Sequence, residues 1–115
     1  MNKERKQNMK ILTVCQRGNC RSVAMAYILK DKLKLNDVIA IGTDTTTKET
    51  WDIMGNWADK IYFVAEERIK KRIPKKFNNK VVHFDIGKDI WCNPNNKELR
   101  NILMDRLKEE NELIK

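Results

Sequence analysis

Four short apolar runs, each followed by a polar turn and then an amphipathic stretch, constrain this chain more than any other feature. The runs are MKILTV (9–14), DVIAIG (37–42), KIYFV (60–64) and KVVHFDI (80–86). The first is short, apolar and β-branched at Ile11 and Val14, as expected of a buried strand. SVAMAYILKDKLKL (22–35) and KETWDIMGNWAD (48–59) have roughly helical spacing; EERIKKRI (66–73) reads as a short helix that Pro74 ends. After Pro94 a last helix is expected in NKELRNILMDRLKEENELI, with Leu99, Ile102, Leu103 and Leu107 as its apolar stripe. The alternation predicts an α/β fold: a single-domain, four-stranded parallel sheet with helices on both faces. Right-handed crossovers limit the topology, and ligands of such sheets sit beyond the carboxyl ends of the strands. The loops after Val14, Ile41, Val64 and Ile86 all fall at that edge.

A chain of 115 residues is large enough for one core without disulfide staples. With 41% apolar and 35% charged residues it falls outside the disordered class. Residues 1–8 read as a basic tail and 9–115 as the domain. No stretch is apolar for long enough to span a bilayer, so the expectation is a cytoplasmic protein with reduced thiols and no membrane partner. Three cysteines at unequal spacing also argue against a disulfide framework. The net charge of +8 is concentrated: residues 1–8 carry +2 and the segment from Arg68 to Lys76, RIKKRIPKK, carries +6. Such a run is commonly a solvated face; its other reading is a docking surface for an acidic partner. It has no interleaved aromatic residues, so nucleic acid is not expected.

The most informative turn is the first, Cys15-Gln16-Arg17-Gly18-Asn19-Cys20-Arg21-Ser22. A tight strand-to-helix loop turns successive backbone N–H groups toward one point, and the positive helix end adds to them, making a nest for a dianion. Gly18 permits a backbone angle that strains other residues, and Asn19 is the next best residue for one. Arg21 can fork two N–H bonds onto phosphate oxygens. Cys15, at the strand end, would lie beneath the bound phosphorus, where the same field favours a thiolate nucleophile. Zinc is a poor alternative, because Cys15 and Cys20 have only His83 and Cys92 as distant co-ligands. A thioredoxin-like pair has two intervening residues and this pair has four. Cys20 reads equally well as buried filling. No metal or organic cofactor is called for.

At these residues the chain resembles the low-molecular-weight protein-tyrosine phosphatases, whose signature is a cysteine, five residues, then Arg-Ser or Arg-Thr after the first strand. AIGT (40–43) and NWADKIYFV (56–64) resemble further segments of that family, in particular of a compact bacterial subgroup. The resemblance implies hydrolysis of a phosphorylated protein or a small phosphate monoester through a phosphocysteine. Cys15 would be the nucleophile, and Arg21 with the loop from Gln16 through Cys20 would hold the phosphate. Ser22 would hydrogen-bond the thiolate. An aspartic acid would protonate the leaving group.

Here the chain departs from the family, whose acid is followed by proline. The late loop reads FDIGKDIWCNP, with no Asp-Pro. Asp89, two residues before Trp91, keeps the acid and an aromatic wall at the family's spacing and is favoured; Asp85 is the alternative acid, or the cap of a turn. Arg17 stands where glycine is usual, and Val23 where proline is. Trp51 is a second candidate wall for a phosphotyrosine ring, with core packing as its competing role. Trp57 reads as core and His83 as a sheet residue. Two other functions use the same loop: arsenate reduction through a relay of Cys15, Cys20 and Cys92, and phosphate binding without turnover.

Overall fold

The computed structural model describes residues 9–88, 90–91 and 93–110. All four expected strands form one parallel sheet: β1 (Lys10–Cys15), β2 (Asp37–Gly42), β3 (Lys60–Phe63) and β4 (Val81–His83), in the order β2-β1-β3-β4. The helices are α1 (Arg21–Asp31), α2 (Lys48–Trp57), the single turn α3 (Glu67–Lys70) and α4 (Lys97–Glu110), with a 3₁₀ segment at Lys75–Lys80. None of the described helices is long and apolar enough to cross a membrane.

The central strand explains why its sequence is apolar without alternation. Flanked by β2 and β3, β1 is buried from Ile11 to Cys15. Within that buried stretch Thr13 is fully buried and donates from Oγ1 to the Ser22 carbonyl at 2.8 Å. That bond satisfies a group costly to bury alone and pins the start of α1 to the strand.

The β1–β2 crossover steps one way across the sheet and the β2–β3 crossover steps back past β1. Right-handedness of both therefore requires α1 and α2 on opposite faces. α1 packs on β1 and β2 and against α4, whose Leu99, Leu103 and Leu107 are fully buried at a spacing of four. Each such leucine contributes about 2 kcal/mol of burial. Across the sheet, Trp51 of α2 stacks on Phe77 with ring centroids 6.4 Å apart. Lys80 closes the end of α2, donating from Nζ to the Gly55 and Ala58 carbonyls at 2.8 Å each. Asp59 exchanges two bonds with Lys10, which ties the starts of β1 and β3 together at the edge opposite the β1–α1 loop.

Among the described residues, three elements are shorter than their sequence patterns predict by three residues or more. The first helix ends at Asp31 because Lys34 takes a left-handed backbone (φ 59) and the Leu35 N–H turns back to the Leu29 carbonyl. The helix expected over 66–73 contracts to Glu67–Lys70, continuing as turns whose N–H groups at Arg72 and Ile73 bond three residues back. β4 stops at His83, since β3 ends at Phe63 and offers one further carbonyl, which the Phe84 N–H takes. Beyond it, Asp85 Oδ1 accepts the Gly87 N–H at 3.0 Å, a local turn that competes with strand.

Candidate functional site

The loop joining β1 to α1 lies at the carboxyl edge of the sheet, and the segments after all three other strands reach it. From the β2 side, the Thr43 and Asp44 N–H groups donate to the Cys15 and Gln16 carbonyls at 2.8 and 2.9 Å. The Thr45 hydroxyl donates to the Arg17 carbonyl at 3.2 Å. Three consecutive carbonyls are thus held toward the β2 segment. Among the described residues, the N–H groups of Arg17 and Asn19 have no protein acceptor. Gln16 also donates from Nε2 to Asp44 Oδ2, and Arg72 donates to Asp44 Oδ1 at 2.7 Å. These bonds hold the Asp44 carboxyl below the usual carboxylate range: the hydrogen bond from Gln16 is the largest influence, desolvation opposes it, and the hydrogen bond and charge of Arg72, with the Thr43 hydroxyl, tip the balance downward.

Glycine is required where the loop touches β2. Gly18 has φ +74, and a Cβ there would stand 2.5 Å from the Gly42 nitrogen; a Cβ on Gly42 would stand 2.3 Å from the Arg17 carbonyl carbon. The left-handed position is Gly18 itself, and Asn19 does not share it. This contact also explains the glycine of AIGT, which leaves room for the loop backbone.

Cys15 is buried at the end of β1. The Gly18 N–H donates to its Sγ at 3.2 Å, and the Ser22 Oγ lies 3.2 Å from the same sulfur. In the second contact the Cys15 thiol donates to the Ser22 Oγ, while the sulfur accepts from the Gly18 N–H. Cys20 is buried with the core residues under the loop.

Arg21 is the unusual residue: a guanidinium only 2% exposed at the first turn of α1. Its Nη1 donates to Glu66 Oε1 at 2.9 Å and to the Gly87 carbonyl, so the segments after β3 and β4 both hold it. Its Nε is buried without a hydrogen-bond partner among the described residues. Arg68 reaches the other Glu66 oxygen at 3.3 Å. Partial burial pushes the Glu66 carboxyl up, but the Arg21 hydrogen bond, a backbone N–H and the two arginine charges outweigh it and hold the group below the ordinary glutamate value.

Sequence reasoning missed Glu66, which it placed at the start of a short helix and gave no role. Its signal was available: an acidic residue directly after the third strand, at the edge where the polar loops converge.

A cavity of about 460 Å³ opens over this arrangement. The loop lines it with Gln16, Arg17 and Asn19, and Arg21 and Glu66 form one wall. Arg68 and Lys88 add positive charge from the segments after β3 and β4. No aromatic residue is among its described lining residues.

Trp51, a candidate wall, is instead 3% exposed and stacked on Phe77, its indole face already used by the core. Trp91 is half-buried, donating from Nε1 to Glu98 at 3.0 Å. Asp85 is exposed and occupied with its turn, as the competing role anticipated. His83 is a sheet residue, its Nε2 2.8 Å from the Ala65 carbonyl. Asp89 and Cys92 lie outside the described residues.

Comparison of the chain with protein-family models, curated proteins and solved structures finds no match in any of them.

Proposed function

We propose that this protein is a cysteine-dependent phosphatase, of the low-molecular-weight tyrosine phosphatase type, that hydrolyses phosphate monoesters. The observation that carries the reading is the state of Arg21. A buried guanidinium held at Nη1 by Glu66 and Gly87, with a buried Nε left unpartnered, suits an arginine poised to receive an anion at its free edge. The anion's other donors would be the Arg17 and Asn19 N–H groups, and Cys15 begins the same loop.

In this mechanism the Cys15 thiolate attacks phosphorus; the S–P bond forms as the ester P–O bond breaks. A carboxylic acid gives its proton to the departing oxygen. The same carboxylate then takes a proton from water, the water oxygen bonds to phosphorus, and the thiolate leaves with inorganic phosphate as product. Arg21 and the loop N–H groups hold the three equatorial oxygens throughout. The Ser22 hydroxyl, 3.2 Å from Sγ, stabilises the departing thiolate. Asp89 is assigned the acid role from its spacing to Trp91, because Asp85 is committed to its turn.

Turnover of p-nitrophenyl phosphate tests the reading, with arsenate plus a thiol reductant run alongside. The expected result is hydrolysis that Cys15→Ser abolishes and that Asp89→Asn lowers about 10²–10⁴-fold. Hydrolysis surviving Cys15→Ser would overturn it. Phosphate binding without hydrolysis would make the protein a binding module, and arsenate turnover dependent on Cys92 would make it a reductase.

A further inference from the structure

The basic run does not act as one patch. Arg72 is paired with Asp44 and Lys76 with Asp52, both at 2.6–2.7 Å, and these pairs brace the segment against the β2–α2 connection and α2. Lys70, Lys71 and Lys75 have no ion-pair partner among the described residues. They line a second cavity, about 430 Å³ in volume, together with Arg68 and Glu67. Arg68 also lines the cavity over Arg21, so the two cavities meet at one side chain. Of the two carboxylates present, Glu66 is bonded to Arg21 and Arg68, while Glu67 lies 3.5 Å from His83 Nδ1. Taken together as one trough along Arg68, the two linings hold seven basic and two acidic side chains and no described aromatic residue.

We infer that this trough selects phosphorylated segments of acidic peptide: the phosphate sits at Arg21, and carboxylates near it in the chain lie along Arg68, Lys70, Lys71 and Lys75. The inference rests on Arg21 as a phosphate site but not on turnover. A small phosphate ester fills the first cavity alone and leaves three unpaired lysines without a role. A nucleic acid strand would need faces on which its bases stack, and the trough offers none among its described lining residues. A peptide needs only its charges and backbone to be met. Because these lysines are half-buried to exposed, the attraction is screened, and selectivity is expected to shrink as salt is added.

The test measures binding to the full chain carrying Cys15→Ser, which leaves a bound ester intact. Two phosphopeptides are compared, identical except that the residues flanking the phosphotyrosine are glutamates in one and alanines in the other. About a tenfold preference for the acidic peptide is expected at low salt. Substituting Lys70, Lys71 and Lys75 together by alanine should bring the ratio close to one, and substituting all three by arginine should preserve it. Equal binding of the two peptides, or a preference that survives the alanine variant, overturns the inference. So does inorganic polyphosphate binding as tightly as the acidic phosphopeptide. A tenfold preference in a protein that fails to hydrolyse p-nitrophenyl phosphate would uphold the trough and remove the phosphatase reading; hydrolysis with a ratio of one would do the reverse.

Discussion

Two segments at the carboxyl edge of the sheet contain a glycine with nearly the same backbone angle: Gly18 at φ +74 and Gly87 at φ +80. Their surroundings are opposite. A Cβ on Gly18 would collide with the β2 backbone at 2.5–2.6 Å, whereas a Cβ on Gly87 would meet nothing within 4 Å. The first loop is bonded at three successive carbonyls to the segment after β2, and its sulfur accepts from Gly18. The second is held by the Asp85 turn and by Arg21 on its carbonyl, with Ile90 beyond it 73% exposed. The contrast separates a rigid cradle from a segment placed largely by what it grips. An anion site needs the first kind of order, because donors aimed in advance lose no energy to reorganisation.

The comparison can be broken by substitution, beginning where the effect should be largest. Gly18→Ala combines left-handed strain with a backbone collision and is expected to cost about 3–5 kcal/mol, read from urea unfolding. A loss under 1 kcal/mol would show that the cradle yields, and the contrast would fail. Glu66→Ala follows at about 3 kcal/mol, since it leaves the buried Arg21 guanidinium without its counter-ion. Glu66→Gln should recover part of that loss by keeping an acceptor for Nη1.

The same pair sets a pH dependence. The folded-state value of Glu66 is depressed, so its contribution is complete above the ordinary glutamate range and disappears as pH falls through the lower folded value. Thermal midpoints of wild type and Glu66→Gln should therefore converge on acidification and stay separated at neutral pH. A gap that stays constant down to about pH 3 would remove the ionic contribution. The smallest effect belongs to Gly87→Ala, strained but uncrowded, at about 1 kcal/mol. If it matched Gly18→Ala, crowding by β2 would not be what distinguishes the two loops.

Much of this was legible before any coordinate. The four strands are runs of apolar residues, and the parallel sheet follows from their alternation with helices. Cys15, Gly18 and Arg21 share one loop, so their proximity is local, and sequence spacing conveys it. The errors have a common source. Glu66 was hidden in a charged run because its neighbours Glu67 and Arg68 are solvent-facing, and one-dimensional pattern does not say which member of a charged run turns inward. Trp51 was ambiguous for the same reason: an aromatic residue on a helix can serve a site or a core, and Phe77, 26 residues away, decided for the core.

By itself, then, the sequence determined which segments become strands and helices and that Cys15, Gly18 and Arg21 fall within one strand-to-helix turn, because both depend on residues close together in the chain. Tertiary structure alone decided the partners of those donors. Glu66 and Gly87 reach Arg21 from 45 and 66 residues away because the parallel crossovers bring the ends of β3 and β4 to the same edge of the sheet as that of β1. Burial of the guanidinium then makes each contact costly to lose, which a list of residue types cannot express.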